Sequence, residues 1–396
     1  MRRLAFAAAL AVIVAAPSGC GGKFVLPTEH RGALPGSGTY EVVATWKGMD
    51  DVQDLFITQG QGDQLFVLFN HGGDTGPSVP RGEVIQYKLK STFPSPLPIL
   101  LHPLATLFNP IGITATRKNL FVLDQGDSCR AKFDLRRGTC EADRDTTHAT
   151  GHPFRSQIFD YTATWRVREY DIQGGETLST FTDTTVAQPF GIAVDDQDRV
   201  YVSSIAVFLD SSQTDKRIRT RKFVSRIYRY LRGPKYAGGV LDVNMPGTAS
   251  WHRDTTWRVL DGSGLSSVAD PRGIYWSPAG SNPLFIADRG NNAAKAVSSV
   301  LDTLPVVKVD GQETGAIFNH PEAVVADLGG SFFVVDRDNR RVLRFGLSGQ
   351  FQQRVDLEPN GDGLPLLDPV SVAVADTLAY VADRGRGQVV RYSRRQ

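Results

Sequence analysis

Short apolar runs recur along the chain in a fixed order. A proline opens a first run, a turn follows, and a second run ends in Asp before basic and Asn residues and a third run. The last copy starts at Pro369, has its second run at residues 379–382 before Asp383, and its third at 389–392. Earlier copies start at Pro110, Pro189, Pro271 and Pro321. Runs of this length, rich in β-branched and aromatic residues, predict β-strands.

Each copy predicts one small antiparallel sheet that cannot bury both of its apolar faces alone. Units of this kind stack on their neighbours, and short strands in repeated units predict a β-propeller. A sixth, degenerate copy has runs at residues 55–58 and 65–68, with Phe69 where the other copies have Asp. The sequence therefore predicts an all-β fold, a six-bladed β-propeller over residues 39–396.

The amino-terminal end of this region predicts how the ring closes. The last copy supplies three strands, one fewer than a complete blade. Residues 40–46 alternate apolar and polar positions and are rich in strand-forming residues. An unpaired edge invites aggregation. We therefore expect the 40–46 strand to pair with the last blade and close the ring.

Two segments resemble the repeat of a known family. Residues 188–195 read Gln-Pro-Phe-Gly-Ile-Ala-Val-Asp, and residues 336–342 read Asp-Arg-Asp-Asn-Arg-Arg-Val. Both are similar to the NHL repeat, and the resemblance covers residues 50 to 393 with a weak copy in the first blade. It implies a six-bladed architecture, and an architecture of this kind hosts many unrelated functions.

The first 22 residues have the pattern of an export signal. Arg2 and Arg3 precede an apolar stretch at 4–16, which is too short to span a bilayer and ends in small residues. Cys20 then resembles the lipidated Cys of bacterial lipoproteins, although Pro17 stands where that family prefers an aliphatic residue. The resemblance implies a signal peptide at 1–19, a tether at 20–38 and a lipid anchor in the bacterial cell envelope, on the outer membrane, periplasmic or surface side. The alternative is ordinary secretion, with Cys20 removed or unmodified.

Two further cysteines fit an exported protein. Cys129 and Cys140 lie in one hydrophilic insertion, and an oxidising compartment would let them form a disulfide. Two free thiols are the alternative. A zinc site is disfavoured, because His148 and His152 are near but the spacing matches no common finger.

Charge narrows the range of partners. Loss of the signal segment would leave 42 basic and 42 acidic residues, and this balance argues against nucleic-acid binding. A basic run at residues 216–222 is compatible with contact to anionic groups or with a solvated hairpin. We expect a monomeric propeller, attached to the membrane only through its lipid.

The second and third blades contain the long insertions. The connections at 126–160 and 205–224 exceed what a four-stranded blade needs. Projecting loops on a rigid scaffold commonly carry specificity. These insertions therefore predict a binding surface for an envelope protein or a glycan, of unknown identity.

The central channel is the other candidate site. Innermost propeller strands run along the channel, so residues flanking each repeat proline are predicted at its mouth. Those before the prolines are Asn109, Gln188, Asp270, His320 and Asp368, and those after are Ile111, Phe190, Arg272, Glu322 and Val370. Asp270, His320 and Asp368 are ligand types suited to a divalent cation such as calcium or zinc. The alternative role is turn capping by short polar side chains. No other cofactor is predicted.

Catalytic motifs give no firm assignment. Related amidating lyases have a metal-binding His after the repeat proline, and no copy here has one. Six-bladed lactonases use a central Glu, Asn and Asp set, to which Glu322, Asn109 and Asp368 correspond only by type. Hydrolase, phosphate-loop and dinucleotide motifs are absent from the sequence. We therefore predict a binding or scaffolding module, with a metal-dependent hydrolase or lyase at the channel mouth as the alternative, and no catalytic residue assigned.

Overall fold

Short, mainly antiparallel sheets account for nearly all regular structure in the described part of the chain. The computed structural model describes residues 39–58, 64–71, 82–89, 107–125, 133–134, 139–140, 165–172, 175–183, 185–209, 221–233, 251–278, 283–299, 305–356 and 364–395. These residues contain no α-helix. Three single-turn 3-10 helices occur at Arg289–Asn291, Gln312–Thr314 and Arg384–Arg386. None of the helices in this part of the chain is long and apolar enough to cross a membrane.

Six sheets form the six blades of a propeller, which confirms the predicted fold. From the innermost strand outward, blade one has Val52–Ile57, Leu65–Asn70 and Gly82–Tyr87, and blade two has Pro110–Ala115, Asn119–Asp124, Arg166–Asp171 and Thr177–Phe181. Blade three has Val186–Val194, Val200–Leu209, Arg221–Arg232, Trp251–Asp261 and Ser267–Val268. Blade four has Pro271–Trp276, Pro283–Asp288, Ala293–Ser298 and Pro305–Val309, and blade five has Pro321–Ala326, Ser331–Asp336, Arg341–Gly346 and Phe351–Arg354. Blade six has Pro369–Ala375, Leu378–Asp383, Gln388–Arg394 and Tyr40–Lys47.

The core is divided into six layers, one between each pair of neighbouring blades. In the second strand of blade one, Leu65, Val67 and Phe69 pack towards blade six, whereas Phe66 and Leu68 pack towards blade two. Successive side chains of a strand point to opposite faces, so a strand covered on both sides is apolar at every position. This explains the continuous apolar runs in the sequence.

The predicted closure by the amino-terminal strand is confirmed. Tyr40–Lys47 pairs antiparallel with Gln388–Arg394, from Tyr40 opposite Arg394 to Lys47 opposite Gln388. Trp46 lies 5.5 Å from Tyr87 and 5.7 Å from Tyr380 between ring centroids, in the core layer that joins blades six and one. The first strand of the propeller thus completes its last blade.

Close approach of the innermost strands explains the repeated Gly after the proline. A Cβ added to Gly191 would lie 2.5 Å from the carbonyl oxygen of Arg272, and one added to Gly273 would lie 2.9 Å from the Cα of Ala323. Side chains essentially never fit at such distances. Blades five and six have Ala323 and Ser371 at the corresponding position. Blade one has Asp54, whose carboxylate bonds to both neighbouring blades.

The insertions leave their blades at different ends. In blade two Asp124 pairs with Pro110 and with Arg166, so the connection after Asp124 starts at the end that carries the repeat prolines. The 210–220 connection of blade three starts at this same end, and 234–250 starts at the opposite end. Within the first insertion, Phe133–Asp134 and Thr139–Cys140 form a two-stranded ladder.

Candidate functional site

The Asp that ends the second strand fixes the turn before the repeat proline in four blades. The shared hydrogen bonds join the backbone N–H of Asn109 to Asp124, of Ala269 to Asp288, of Asn319 to Asp336 and of Asp368 to Asp383, at 2.7 to 2.8 Å. These carboxylates are fully buried. They hold the start of each innermost strand in place, so their role is structural.

The residue after this Asp reaches the mouth of the channel. Arg337 follows Asp336 and contacts Asp368 at 2.6 Å and Glu322 at 3.4 Å. Arg384 follows Asp383 and contacts the same Asp368 at 2.9 Å. Although burial acts to raise the pKa of Asp368, the hydrogen bonds and charges of the two arginines outweigh it and lower that pKa. Blades five and six are thus joined by ion pairs at the rim.

Hydrogen bonds between amide side chains continue the rim on the other side. Asn70 of blade one donates to Asn109 of blade two at 2.6 Å, and Asn109 donates to Gln125 at 3.0 Å. Gln125 then donates to the backbone oxygen of Pro189 in blade three at 2.9 Å. Gln53 closes the gap to blade six, since it accepts a bond from Arg384 at 3.3 Å.

Blade four contributes an arginine stacked on an aromatic ring. The guanidinium carbon of Arg272 lies 3.9 Å from the ring centroid of Phe190 in blade three, a cation–π geometry. Arg272 also pairs with Asp270 at 3.0 Å, and Arg289 lies 3.8 Å from that carboxylate. Burial lowers the pKa of Arg272, and its Nε has no hydrogen-bond partner among the described residues.

The three proposed metal ligands each have a different partner. Asp270 pairs with Arg272, Asp368 pairs with Arg337 and Arg384, and the half-exposed His320 has its Nδ1 2.5 Å from Asp338. Across the described ranges, no group of three or more His, Cys, Asp and Glu side chains is placed to hold a metal ion.

Below the rim lies a cavity of about 170 Å³ in the channel. Of the residues predicted at the mouth, those that line it are Ile111, Gln188, Phe190, Arg272, Glu322 and Val370. Asn109, Asp270 and Asp368 lie in the rim network instead, and His320 belongs to neither. Sequence reasoning missed Gln53, Asp54, Gln125 and Arg384, which also line the cavity.

Asp54 is the titratable group of interest in this cavity. Its Oδ1 accepts hydrogen bonds from the hydroxyl of Ser371 at 2.6 Å and the N–H of Leu55 at 2.9 Å, and its Oδ2 accepts one from the N–H of Ile113 at 2.9 Å. Burial raises the pKa of Asp54 to about 6, against the opposing effect of these hydrogen bonds. The carboxyl therefore titrates near neutral pH while bridging blades six, one and two.

Two aromatic rings contact each other across the channel. Phe56 of blade one and Tyr275 of blade four have ring centroids 6.4 Å apart, a contact distance for aromatic pairs. Both rings also line a second cavity at the opposite end of the propeller. The two cavities therefore share part of their lining.

Several predicted features fall outside the described residues. Cys20 and Cys129 are among them, and the side chain of Cys140 is not described. The signal segment, the tether, the lipid and the disulfide therefore remain predictions. The basic run is described only from Arg221 onward, by its backbone.

No protein-family model and no curated protein matches the chain. Among solved structures, a PQQ-bound aldose sugar dehydrogenase from Streptomyces coelicolor is 12% identical, with 91% of this chain and 99% of that chain covered and a TM-score of 0.47. A protein of unknown function from Bacteroides thetaiotaomicron is 10% identical, with 89% and 75% covered and a TM-score of 0.48. A catalytically inactive virginiamycin B lyase from Staphylococcus aureus, solved with quinupristin, is 8% identical, with 89% and 99% covered and a TM-score of 0.42. No function is transferred from them.

Proposed function

We propose that this chain is an exported, lipid-anchored, monomeric propeller of the NHL type that binds an envelope protein or a glycan. The observation that carries the proposal is the state of the mouth carboxylates. Asp270, Glu322 and Asp368 all contact arginines. A metal ion would have to displace those arginines and leave buried or half-buried cations without a partner, which is costly. A rim of this kind suits a scaffold better than a metal centre.

The positions of the insertions support a binding surface at the mouth face. The connections after Asp124 and after Leu209 both start at this end of the ring. A partner held by both insertions would cover the rim, whose alternating charges and amides offer hydrogen bonds without a strong net field.

A replacement experiment tests this proposal. The segment 126–160 is exchanged for a short turn, and a matched variant exchanges 234–250, which starts at the opposite face. Partners are cross-linked on intact cells and quantified by mass spectrometry. We expect the first exchange to abolish one reproducible cross-linked partner and the second to leave it. Equal cross-linking by both variants would contradict the proposal.

Asp54 favours a second candidate function, a hydrolase or lyase at the channel mouth. A carboxyl group with a pKa of about 6 is suited to general acid–base chemistry near neutral pH, and it shares its pocket with Arg272 and Glu322. The test is turnover of lactone and ester panels by the wild type and by Asp54→Asn. Loss of a measurable turnover in the variant, with the fold retained, would establish this function instead.

A further inference from the structure

The channel has a second cavity at the end remote from the repeat prolines. Its volume is about 490 Å³, within the usual range for ligand pockets. Blades one and four supply its apolar floor, and hairpins of blades two and three supply its two sides. The contact between Phe56 and Tyr275 lies where the two cavities meet, and the turns that line this cavity do not line the mouth cavity.

One side of this cavity is basic. Arg117 and Lys118 form the turn between the first two strands of blade two, and both are exposed. The turn is rigid, because the backbone N–H of Thr116 bonds to the oxygen of Asn119 at 2.8 Å and the Thr116 hydroxyl accepts from the N–H of Asn119 at 3.1 Å. Neither basic side chain forms an ion pair with a described residue. Both cations are therefore available to an anionic group.

The facing side is acidic. Asp196 and Asp198 lie in the equivalent turn of blade three. Their turn is fixed by the buried Asp195, which accepts the backbone N–H groups of Gln197 and Arg199 at 2.9 Å each. Among the described residues, Asp196 and Asp198 have no ion-pair partner. A basic pair and an acidic pair of side chains thus lie at two sides of one cavity without forming ion pairs with each other.

The floor between these sides is aromatic. Phe56, Tyr275 and Trp276 line it, and the Trp276 indole donates to the Ser299 hydroxyl at 3.2 Å, which fixes its ring. Burial raises the pKa of Tyr275, as does the Asp327 carboxylate, so its hydroxyl stays protonated. That hydroxyl has no hydrogen-bond partner in the described part of the chain. A ligand in the cavity could supply that partner.

We propose that this cavity binds a short zwitterionic peptide with an apolar side chain. The carboxylate would lie against Arg117 and Lys118, the ammonium group against Asp196 and Asp198, and the apolar side chain on the aromatic floor. A neutral saccharide could stack on the aromatic rings but would form no ion pair with any of the four charged side chains. A nucleotide would be repelled by the acidic side. Only a ligand with both charges and an apolar body satisfies all three surfaces.

The direct test uses the full-length protein and the dipeptide leucyl-phenylalanine, with binding followed by calorimetry. We expect saturable binding that weakens about three- to tenfold when either side is reversed, by Arg117→Glu with Lys118→Glu or by Asp196→Lys with Asp198→Lys, since partly exposed charge contacts are individually modest. The matched controls are Lys88→Glu with Arg340→Glu, and Asp376→Lys. They alter exposed charges outside the cavity and should leave binding unchanged.

Capped peptides make the test independent of any folding defect. The carboxyl-terminal amide of the dipeptide should bind the wild type more weakly and should lose no further affinity on reversal of the basic side. The N-acetylated dipeptide should likewise bind the wild type more weakly and should lose no further affinity on reversal of the acidic side. Absence of saturable dipeptide binding, equal binding of the capped and free peptides, or tighter binding of the neutral disaccharide N,N′-diacetylchitobiose would each overturn the proposal.

Discussion

The partly buried carboxyl of Asp54 should make the stability of the propeller depend on pH in a direction opposite to most acidic groups. Its pKa is raised by burial from 3.8 to about 6, so the folded state binds a proton more readily than the unfolded chain. Its favourable contribution to the free energy of unfolding is present below about pH 4 and is lost as the pH rises through about 6. A shift of about two pKa units corresponds to about 3 kcal/mol of unfolding free energy.

Asp54→Asn isolates this contribution. The amide removes the titration but cannot accept bonds at both ends, so its NH2 group would face either the N–H of Ile113 or the pair formed by Leu55 and Ser371. One mismatched buried bond costs about 1–3 kcal/mol. At pH 7 this loss is offset by relief from burying a charge, and the variant should be nearly as stable as the wild type. At pH 4 only the loss remains.

The measurement is urea unfolding at half-unit steps from pH 4 to 7. We expect the wild type to gain about 2.4 kcal/mol relative to Asp54→Asn as the pH falls across this range, since the full effect develops only below pH 4. Asp376→Asn is the matched control, because Asp376 is exposed and lies at the remote end of blade six. Parallel curves for the wild type and Asp54→Asn would show that burial does not raise this pKa.

Three other predictions follow from the anchor, the closing strand and the inner ring. Cys20→Ser should move the protein from the membrane to the soluble fraction, as judged by fractionation and blotting. Deletion of 39–47 should lower the melting temperature far more than deletion of 23–37, because the former removes the strand that completes blade six; equal melting temperatures would be inconsistent with closure. Gly191→Ala should destabilise by about 1–3 kcal/mol through a 2.5 Å contact with a backbone oxygen, whereas Gly329→Ala, with 3.5 Å of clearance, should be nearly neutral in urea unfolding.

The sequence predicted the blades well because every blade needs the same local pattern. A strand covered by neighbours on both faces must be apolar at consecutive positions, and the turns between strands need Gly, Asn and Asp. Both patterns are local, so they are recognisable even where the connections between strands differ in length. The closing strand was predictable for a similar reason, since residues 40–46 alternate and blade six lacked a strand.

The mouth was only partly predictable. The position beside a repeat proline is compatible with the places of Arg272 and Glu322 in the channel lining. It did not place His320, which has a φ of 53° and turns its ring to Asp338. The repeated Asp-Arg pair at the end of the second strand could have indicated that Arg337 and Arg384 reach the mouth. The pattern by itself predicts only where the strand ends.

Asp54 and the remote cavity had no comparable signal. Blade one lacks both the repeat proline and the terminal Asp, so nothing in its sequence aligns Asp54 with Gly191 and Gly273. The remote cavity joins turns from blades two and three that are distant in sequence, and their charges come to one cavity only when the two blades pack side by side. Such juxtapositions depend on blade angle and register, which a single sequence does not specify.

The rim network also bears on how the mouth could bind anything. Asp368 accepts hydrogen bonds from two arginines. A ligand that binds either arginine must therefore compensate for the hydrogen bond that it breaks. Burying an unpaired charge costs more binding free energy than most single contacts contribute. A small ion with few contacts gains little there, whereas a macromolecule can leave the ion pairs intact and bind around them. The pocket below the rim is small, so selectivity at this end of the ring should come from surface contacts, and selectivity at the remote end from a cavity.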